Sequence, residues 1–355
     1  MRSTVEFVIY FYLAVCALLL IFNILYIFRS KLQASAQKKR IEVWRKAIQQ
    51  TGSSYLISQT DLKTLEKPEE LTAFFNALSD TVLKEKDASV FFISNASQIQ
   101  QLAVHYGKLS SMERAFMAYV IASFHEPGAP NAKMLSEIML GYLEQSTVFC
   151  RENVLHALYA LGSEQAVEHA FEILNEKGWY HNAKLISDGL VLFTGDKTSL
   201  AKRLFKHRME FEDSLMVGTV QFMSSFESGE ISDLLLEALD KESALSLEVR
   251  FAIVRYFQRH VREEAKPVLL ELLAHDSKSA GSLSVAAASA LAFYGCGTVK
   301  EALLQALHSP NWYVRRNAAM SLQKMDLTDQ DVEMIRQSHD RYALEMLTYA
   351  KEVSA

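Results

Sequence analysis

The hydrophobic pattern of this chain changes character once. Residues 7–28 read FVIYFYLAVCALLLIFNILYIF, an apolar run without a charge in which Asn23 is the one strongly polar residue. As a helix these 22 positions would be about 33 Å long, close to the roughly 30 Å hydrocarbon core of a bilayer. Tyr10, Tyr12 and Tyr26 lie towards its two ends, where amphipathic rings favour the interface. The pattern predicts one transmembrane helix over 7–28. A cleaved signal peptide is the competing reading, and Ala34-Ser35-Ala36 offers a formal cleavage site. The apolar run is far longer than a signal h-region, and the positive charge follows it where a signal peptide carries it in front.

Beyond the run the pattern becomes helical and periodic. Seven segments begin with a small, apolar or charged residue and continue as an apolar helix with a small residue near its middle. They start at Arg114, Arg151, Lys184, Met216, Arg250, Ser284 and Arg315, at spacings of 37, 33, 32, 34, 34 and 31 residues. A near-constant spacing in the low thirties predicts helix pairs stacked into a solenoid. The first helix of a pair is visible as Ile231-Ser232-DLLLEALDKE, Pro267-VLLELLAHD and Val299-Lys300-EALLQALHSP. The units 234–257 and 302–322, with Val249-Arg250 and Val314-Arg315 opening the second helix, resemble HEAT repeats. The resemblance is strong over 231–325, moderate over 132–230 and faint before about residue 110. It implies an armadillo-like α-solenoid, and a fold much more than an activity.

The expected fold is therefore all-α: a single N-terminal transmembrane helix followed by an α-solenoid of about seven HEAT-like helix pairs. The expected organisation is a short extracytoplasmic N-terminus (1–6), the span (7–28), a basic juxtamembrane linker helix (29–52), an N-terminal helical cap (53–110) and the repeat array (111–355). In the cap, residues 90–93 (VFFI) are short enough to be buried helix or strand. Ala286, Ala287, Ala288, Ala290, Ala318 and Ala319 would let neighbouring helices approach closely. Arg151, Arg250 and Arg315 recur at the start of a second helix, which the resemblance implies is a structural position tying adjacent loops. Gly162, Gly195 and Gly295 fall where a left-handed helix cap is expected.

Charge narrows the function. Seven basic residues, Arg29, Lys31, Lys38, Lys39, Arg40, Arg45 and Lys46, follow the span against one acid, Glu42. This excess predicts a single-pass protein of the cell membrane with its N-terminus out and the bulk of the chain cytoplasmic. Lys38, Lys39, Arg40, Arg45 and Lys46 are candidate lipid contacts on anionic headgroups, although topology retention alone would explain them. Residues 47–355 carry 29 Lys and Arg against 40 Asp and Glu, a poor surface for nucleic acid. The three cysteines, Cys16, Cys150 and Cys296, make neither a disulfide framework nor a C-x-x-C pair, and Cys150 and Cys296 read as buried free thiols.

The search for chemistry finds no zinc spacing among ten scattered histidines, no Walker A loop and no nucleophile elbow. Asp329-Gln330-Asp331 is formally a D-x-D, but after Leu327-Thr328 it reads as the capped start of the last helix. Asn95-Ala96-Ser97 is a formal glycosylation sequon that the topology keeps in the cytoplasm. No catalytic, cofactor-binding or metal site is expected, and a small-molecule ligand is not indicated. Trp179-Tyr180 and Trp312-Tyr313 both sit between the helices of a repeat in equivalent register. They are candidate partner-binding residues, with wedging of neighbouring loops as the alternative. The leading reading is a non-enzymatic, membrane-tethered scaffold for a protein partner, with another membrane protein as the candidate. By family resemblance it would be an accessory subunit of a membrane complex such as a polysaccharide-synthesising glycosyltransferase. A HEAT-like lyase or transferase with a concave-face site, and a sensor of anionic membrane surfaces, are the alternatives.

Overall fold

A computed structural model of the chain describes residues 2–81, 88–124, 130–144, 146–241, 244–275, 281–295, 297–325 and 327–354. The assignment of Cys296 as a buried thiol lies outside them. Among the described residues the regular elements are twenty α-helices and a few 3₁₀ turns, with no strand. The chain forms two compact units, Met1–Leu161 and Gly162–Ala355. The division falls inside the periodic region.

The N-terminal unit is organised by α1 (Arg2–Gln49), a 48-residue helix that runs unbroken from the apolar segment into the folded body. It is long and apolar enough to cross a membrane, and its apolar window is entirely exposed. From Gln37 onward one face of α1 turns inward and packs on α3 (Pro68–Thr81). Trp44 and Ile48 are buried there, with the Trp44 ring edge-on to Phe74 at 5.2 Å. Polar contacts line the seam: Gln37 Nε2 donates to the Glu69 carbonyl at 3.4 Å, Trp44 Nε1 to Glu70 at 3.0 Å, and Arg40 and Arg45 pair with Glu70 and Asp80 at 3.1 and 2.7 Å. Both sets of contacts advance together along the two helices, so α1 and α3 run in the same direction.

Five further helices and α2 complete this unit. They are α2 (Gln59–Leu65), α4 (Ala88–Ser94), α5 (Ala96–Tyr106), α6 (Ser111–Phe124), α7 (Ala132–Leu143) and α8 (Val148–Leu161). Residues 90–93 are helical, within α4, with Phe91 and Phe92 turned into the core and Val90 and Ile93 exposed. Asn95, between α4 and α5, is fully buried. Its Oδ1 accepts from the Ile57 N–H, and its Nδ2 donates to the carbonyls of Tyr55 and Phe91, all at 2.8 Å. The sequon asparagine is thus an internal staple without room for a glycan. Tyr106 donates to the Leu65 carbonyl at 2.9 Å, and Tyr142 donates to the Ala103 carbonyl, so buried tyrosines fasten each layer to the one before.

The second unit is a two-layer stack. One row holds α9 (Glu164–Glu176), α11 (Lys197–Phe205), α13 (Gly229–Lys241), α15 (Lys266–Ala274), α17 (Gly297–Ala306) and α19 (Asp329–Gln337). The other holds α10 (Ala183–Val191), α12 (Asp213–Met223), α14 (Leu247–Arg259), α16 (Gly281–Ala290), α18 (Trp312–Leu322) and α20 (Arg341–Ser354). In the second row each helix packs on the next, from α10 through to α20. Small residues set the spacing: Ala286, Ala287, Ala288, Ala318 and Ala319 are buried, and at Gly218 an added Cβ would lie 2.7 Å from Ile186 Cγ2 and 2.9 Å from the Ala183 carbonyl oxygen. Tyr294 donates to the Phe257 carbonyl at 2.9 Å and Ser321 to the Ala288 carbonyl at 2.7 Å, repeating the interlayer fastening.

Two expectations need correcting. Gly162 has φ +71°, as a left-handed cap should, but Gly195 and Gly295 do not occupy that region. Gly195 is constrained by proximity: a Cβ there would meet the Gly162 carbonyl oxygen at 2.6 Å and Phe193 Cζ at 2.7 Å. The other glycine cap in this unit is Gly178, at φ +60°, which follows a first helix of a pair. Asp329-Gln330-Asp331 does not open the last helix, since α19 is followed by α20. Thr328 caps α19 in a capping box with Asp331, each side chain bonding the other's N–H. Lys300 on α17 pairs with Asp331 at 2.5 Å, and this hydrogen bond foremost, with one from the Thr328 N–H, brings the Asp331 carboxyl down to about 2. A depressed carboxyl stabilises the fold above its unfolded value of about 4 and loses that stabilisation as pH falls through about 2. Lowering pH from 6 to 3 should therefore remove on the order of 1 kcal/mol that Asp331→Asn never shows, measured as the difference between the two proteins in urea unfolding.

Candidate functional site

A wide concavity of the second unit lies across α10, α12 and α14. It is an open groove of about 810 Å³. Its apolar lining includes Val191, Val217, Phe251, Val261 and Phe293, and its polar lining Lys184, Asp188, Gln221, Glu248, Arg255, Gln258 and Arg259. These helices present their partly polar faces because their small and apolar faces are consumed between layers. Phe251 and Arg255 are one helical turn apart, so the guanidinium folds back over the ring, 4.3 Å from its centroid. The Lys184 ammonium is held by Asp188 at 2.6 Å. Arg259 donates to the Ser224 carbonyl at 3.4 Å. Phe293, in the 3₁₀ turn that extends α16, is 46% exposed, and the Lys324 ammonium sits 4.7 Å over it.

In a body with excess acid, this groove is lined by three cations and two carboxylates, one of them committed to Lys184. Arg255 pairs with no carboxylate among the described residues. The arrangement offers partly exposed aromatic surface with cations stacked on it, in an open trough. Such a surface can receive apolar and acidic side chains of an extended or helical segment. It places no nucleophile beside a base, and no group of three or more His, Cys, Asp or Glu among the described residues is arranged to hold a metal. The N-terminal unit contains an apolar cavity between Phe74, Phe75, Phe91, Phe92 and Ile121, but its roughly 40 Å³ is far below the ~150 Å³ that accommodates a benzene-sized ligand.

The candidate aromatics lie elsewhere on the same unit. Tyr180 is 73% exposed and Trp179 half-buried, while Trp312 and Tyr313 are exposed and stand edge-on at 5.1 Å. The two pairs are not in equivalent register. Trp312 and Tyr313 are the first two residues of α18, after the capping Asn311, whereas Trp179 and Tyr180 precede the capping Asn182 of the shorter α10. Three helices of the row separate them, and neither pair lines the groove.

The recurrent arginines differ in their surroundings. Arg315 donates to the carbonyls of His308 and Ser309 in its own loop and pairs with Asp340 at 2.9 Å in the next. Burial alone would raise the Asp340 carboxyl, but hydrogen bonds from His308 and the Ala343 N–H, with the Arg315 charge, outweigh it and hold it low. Arg151 is buried and donates to the Ser146 carbonyl at 2.9 Å. Arg250 is half-buried, its Nε without a hydrogen-bond partner. Of the candidate lipid contacts, Lys38, Lys39 and Lys46 are exposed, whereas Arg40 and Arg45 are engaged with α3.

The groove residues Phe251, Arg255 and Phe293, and Lys324 over the Phe293 ring, were not singled out by sequence. The four-residue spacing of Phe251 and Arg255 was a usable signal. Phe293 and Lys324 had none, because their meeting depends on how the turn after α16 is placed against α18. No model of a known protein family matches this chain, and no curated protein matches it in sequence. The chain is thus defined by its own architecture: an all-α helical-repeat body with an N-terminal helix long and apolar enough to cross a membrane.

Proposed function

We propose that this protein is a membrane-anchored scaffold whose HEAT-like repeat body binds a protein partner through the groove of its second unit. The observation that carries the reading is the stacking of Arg255 on Phe251 and of Lys324 on Phe293 along one open trough. Desolvated aromatic and arginine side chains supply most of the binding energy in protein interfaces. The span runs through the cell membrane with its N-terminus out and the body on the cytoplasmic side, following the basic residues after residue 28. Anchoring keeps the groove beside membrane-bound proteins, so the partner is expected in the same membrane, as for an accessory subunit of a membrane-bound enzyme complex.

A photo-crosslinking residue at position 251 or 293 of the full-length chain, in the native membrane, is expected to give one discrete protein adduct. Arg255→Glu with Lys324→Glu should abolish the adduct and the co-purification of that protein in mild detergent. Absence of any discrete adduct, or an adduct indifferent to charge reversal, would overturn the reading. The alternative of sensing anionic lipid through residues 29–46 is weakened by the engagement of Arg40 and Arg45 with Glu70 and Asp80.

A further inference from the structure

We infer that the helical body has a second membrane contact, an apolar edge formed by Met112, Val148 and Phe149 that rests on the lipid surface. It rests on the reading of α1 as a membrane span and lies wholly within the N-terminal unit. The direction of every helix there follows from its contacts. The start of α3 faces Gln37 of α1, on the side from which the apolar segment leaves. Leu65, just before α3, receives the hydroxyl of Tyr106 at the end of α5. Asn131, before α7, donates to the Ala96 carbonyl at the start of α5, and Tyr142, near the end of α7, bonds Ala103 towards the end of α5. Helices α5 and α7 therefore run towards the membrane side, and α6 and α8 begin there. Their first turns are joined by Ser111 and Thr147 at 3.1 Å.

Met112 and Phe149 are each the second residue of their helix, where the side chain leans towards the N-terminal end. They are 65% and 57% exposed, and Val148 is 61% exposed. These residues need a reason to be apolar, since an acidic residue at a helix start would be favoured by the helix dipole. Position supplies that reason. Gln37 lies nine positions after Phe28, about 14 Å along a helix. The headgroup zone takes up about 5–8 Å of that. Helices α1 and α3 pack together, Phe75 of α3 meets Phe116 and Tyr119 of α6, and α6 packs on α8, so this sequence of neighbours spans about 27 Å at helix packing distances. A tilt of about 20°, usual for a single span, raises the far helix by about 9 Å and brings Phe149 to the headgroups. Glu66, Glu113 and Glu144 share this end with Lys67 and Lys108, so the contact is apolar in origin and does not require anionic lipid.

The test uses the full-length chain in phosphatidylcholine vesicles that contain a clickable lipid. A benzophenone side chain is placed in turn at 112, at 149, at 22 within the span, and at 56 on the opposite end, where Leu56 is comparably exposed. The expected result is lipid adduct at 22, and several times more at 112 and 149 than at 56. Adduct at 22 with none above the level of 56 at 112 and 149 overturns the edge contact and leaves the span intact. No adduct at 22 overturns both. A crosslinked dimer at 112 or 149 assigns the edge to a second copy, and a yield that depends on added phosphatidylglycerol assigns it to charge; either overturns the proposal.

Discussion

Asn95→Ala is expected to lower the stability of the N-terminal unit by about 3 kcal/mol, because it leaves the Ile57 N–H and the Tyr55 carbonyl without partners, each costing roughly 1–3 kcal/mol, while the Phe91 carbonyl keeps the backbone N–H of residue 95. The side chain has no exposure, and its three bonds reach the Ile57 N–H and the Tyr55 and Phe91 carbonyls. Those groups belong to the loop before α2 and to the last turn of α4, so the loss should be local before it is global. Hydrogen exchange in detergent micelles should show faster opening of residues 55–62 and 91–95, with the second unit unchanged. Asn95→Asp keeps the acceptor for Ile57 and loses the two donated bonds, so it should fall short of wild type as well. A loss under about 1 kcal/mol for the alanine variant would mean that water or a shift of the loop replaces the staple.

Gly218→Ala should cost about 2 kcal/mol, while the same change at Gly141 should stabilise by about 0.5–1 kcal/mol. Both glycines lie inside helices, where alanine is the better helix former. Around Gly141 an added methyl group meets nothing within 4 Å. At Gly218 it would press into Ile186 and the Ala183 carbonyl of α10, so α12 must retreat or Ile186 must leave its rotamer. Urea unfolding of the two single variants and the double variant checks both signs. The double variant should return the sum, since the residues lie in different units. A stabilising Gly218→Ala would show that α10 and α12 are less tightly seated than the packing implies.

Much of the architecture was legible because helix pairs write their period into the sequence. The spacing of Arg250, Ser284 and Arg315 follows from second helices that stack one upon another in the same row. The final pair, α19 and α20, escaped the seven-segment count although α20 starts 29 residues after α18, close to the spacing of the others. With it the described residues contain eight pairs from α5 and α6 onward. The apolar span and the capping role of Thr328 were legible for the same reason, since both depend on residues close together in sequence. Gly195 was misjudged because its constraint comes from Gly162 and Phe193, which only the folded turn brings near. The groove was illegible for a related reason. A sequence tells which residues face inward, but the trough depends on which outward faces become neighbours. Arg40 and Arg45 read as part of a seven-residue basic collar when only charge is counted, and these two are spent on Glu70 and Asp80.

The unbroken course of α1 couples azimuth to length. A flexible linker would let the body swivel freely beneath its anchor, but a continuous helix fixes its heading. Each residue inserted between Phe28 and Gln37 would lower the body by about 1.5 Å and turn it by about 100°. One added residue would turn the N-terminal unit to a different sector about the α1 axis, while seven would nearly restore its heading at greater distance from the apolar segment. The helix thus behaves as a keyed shaft, and the eight residues between Phe28 and Gln37 are where that key is cut.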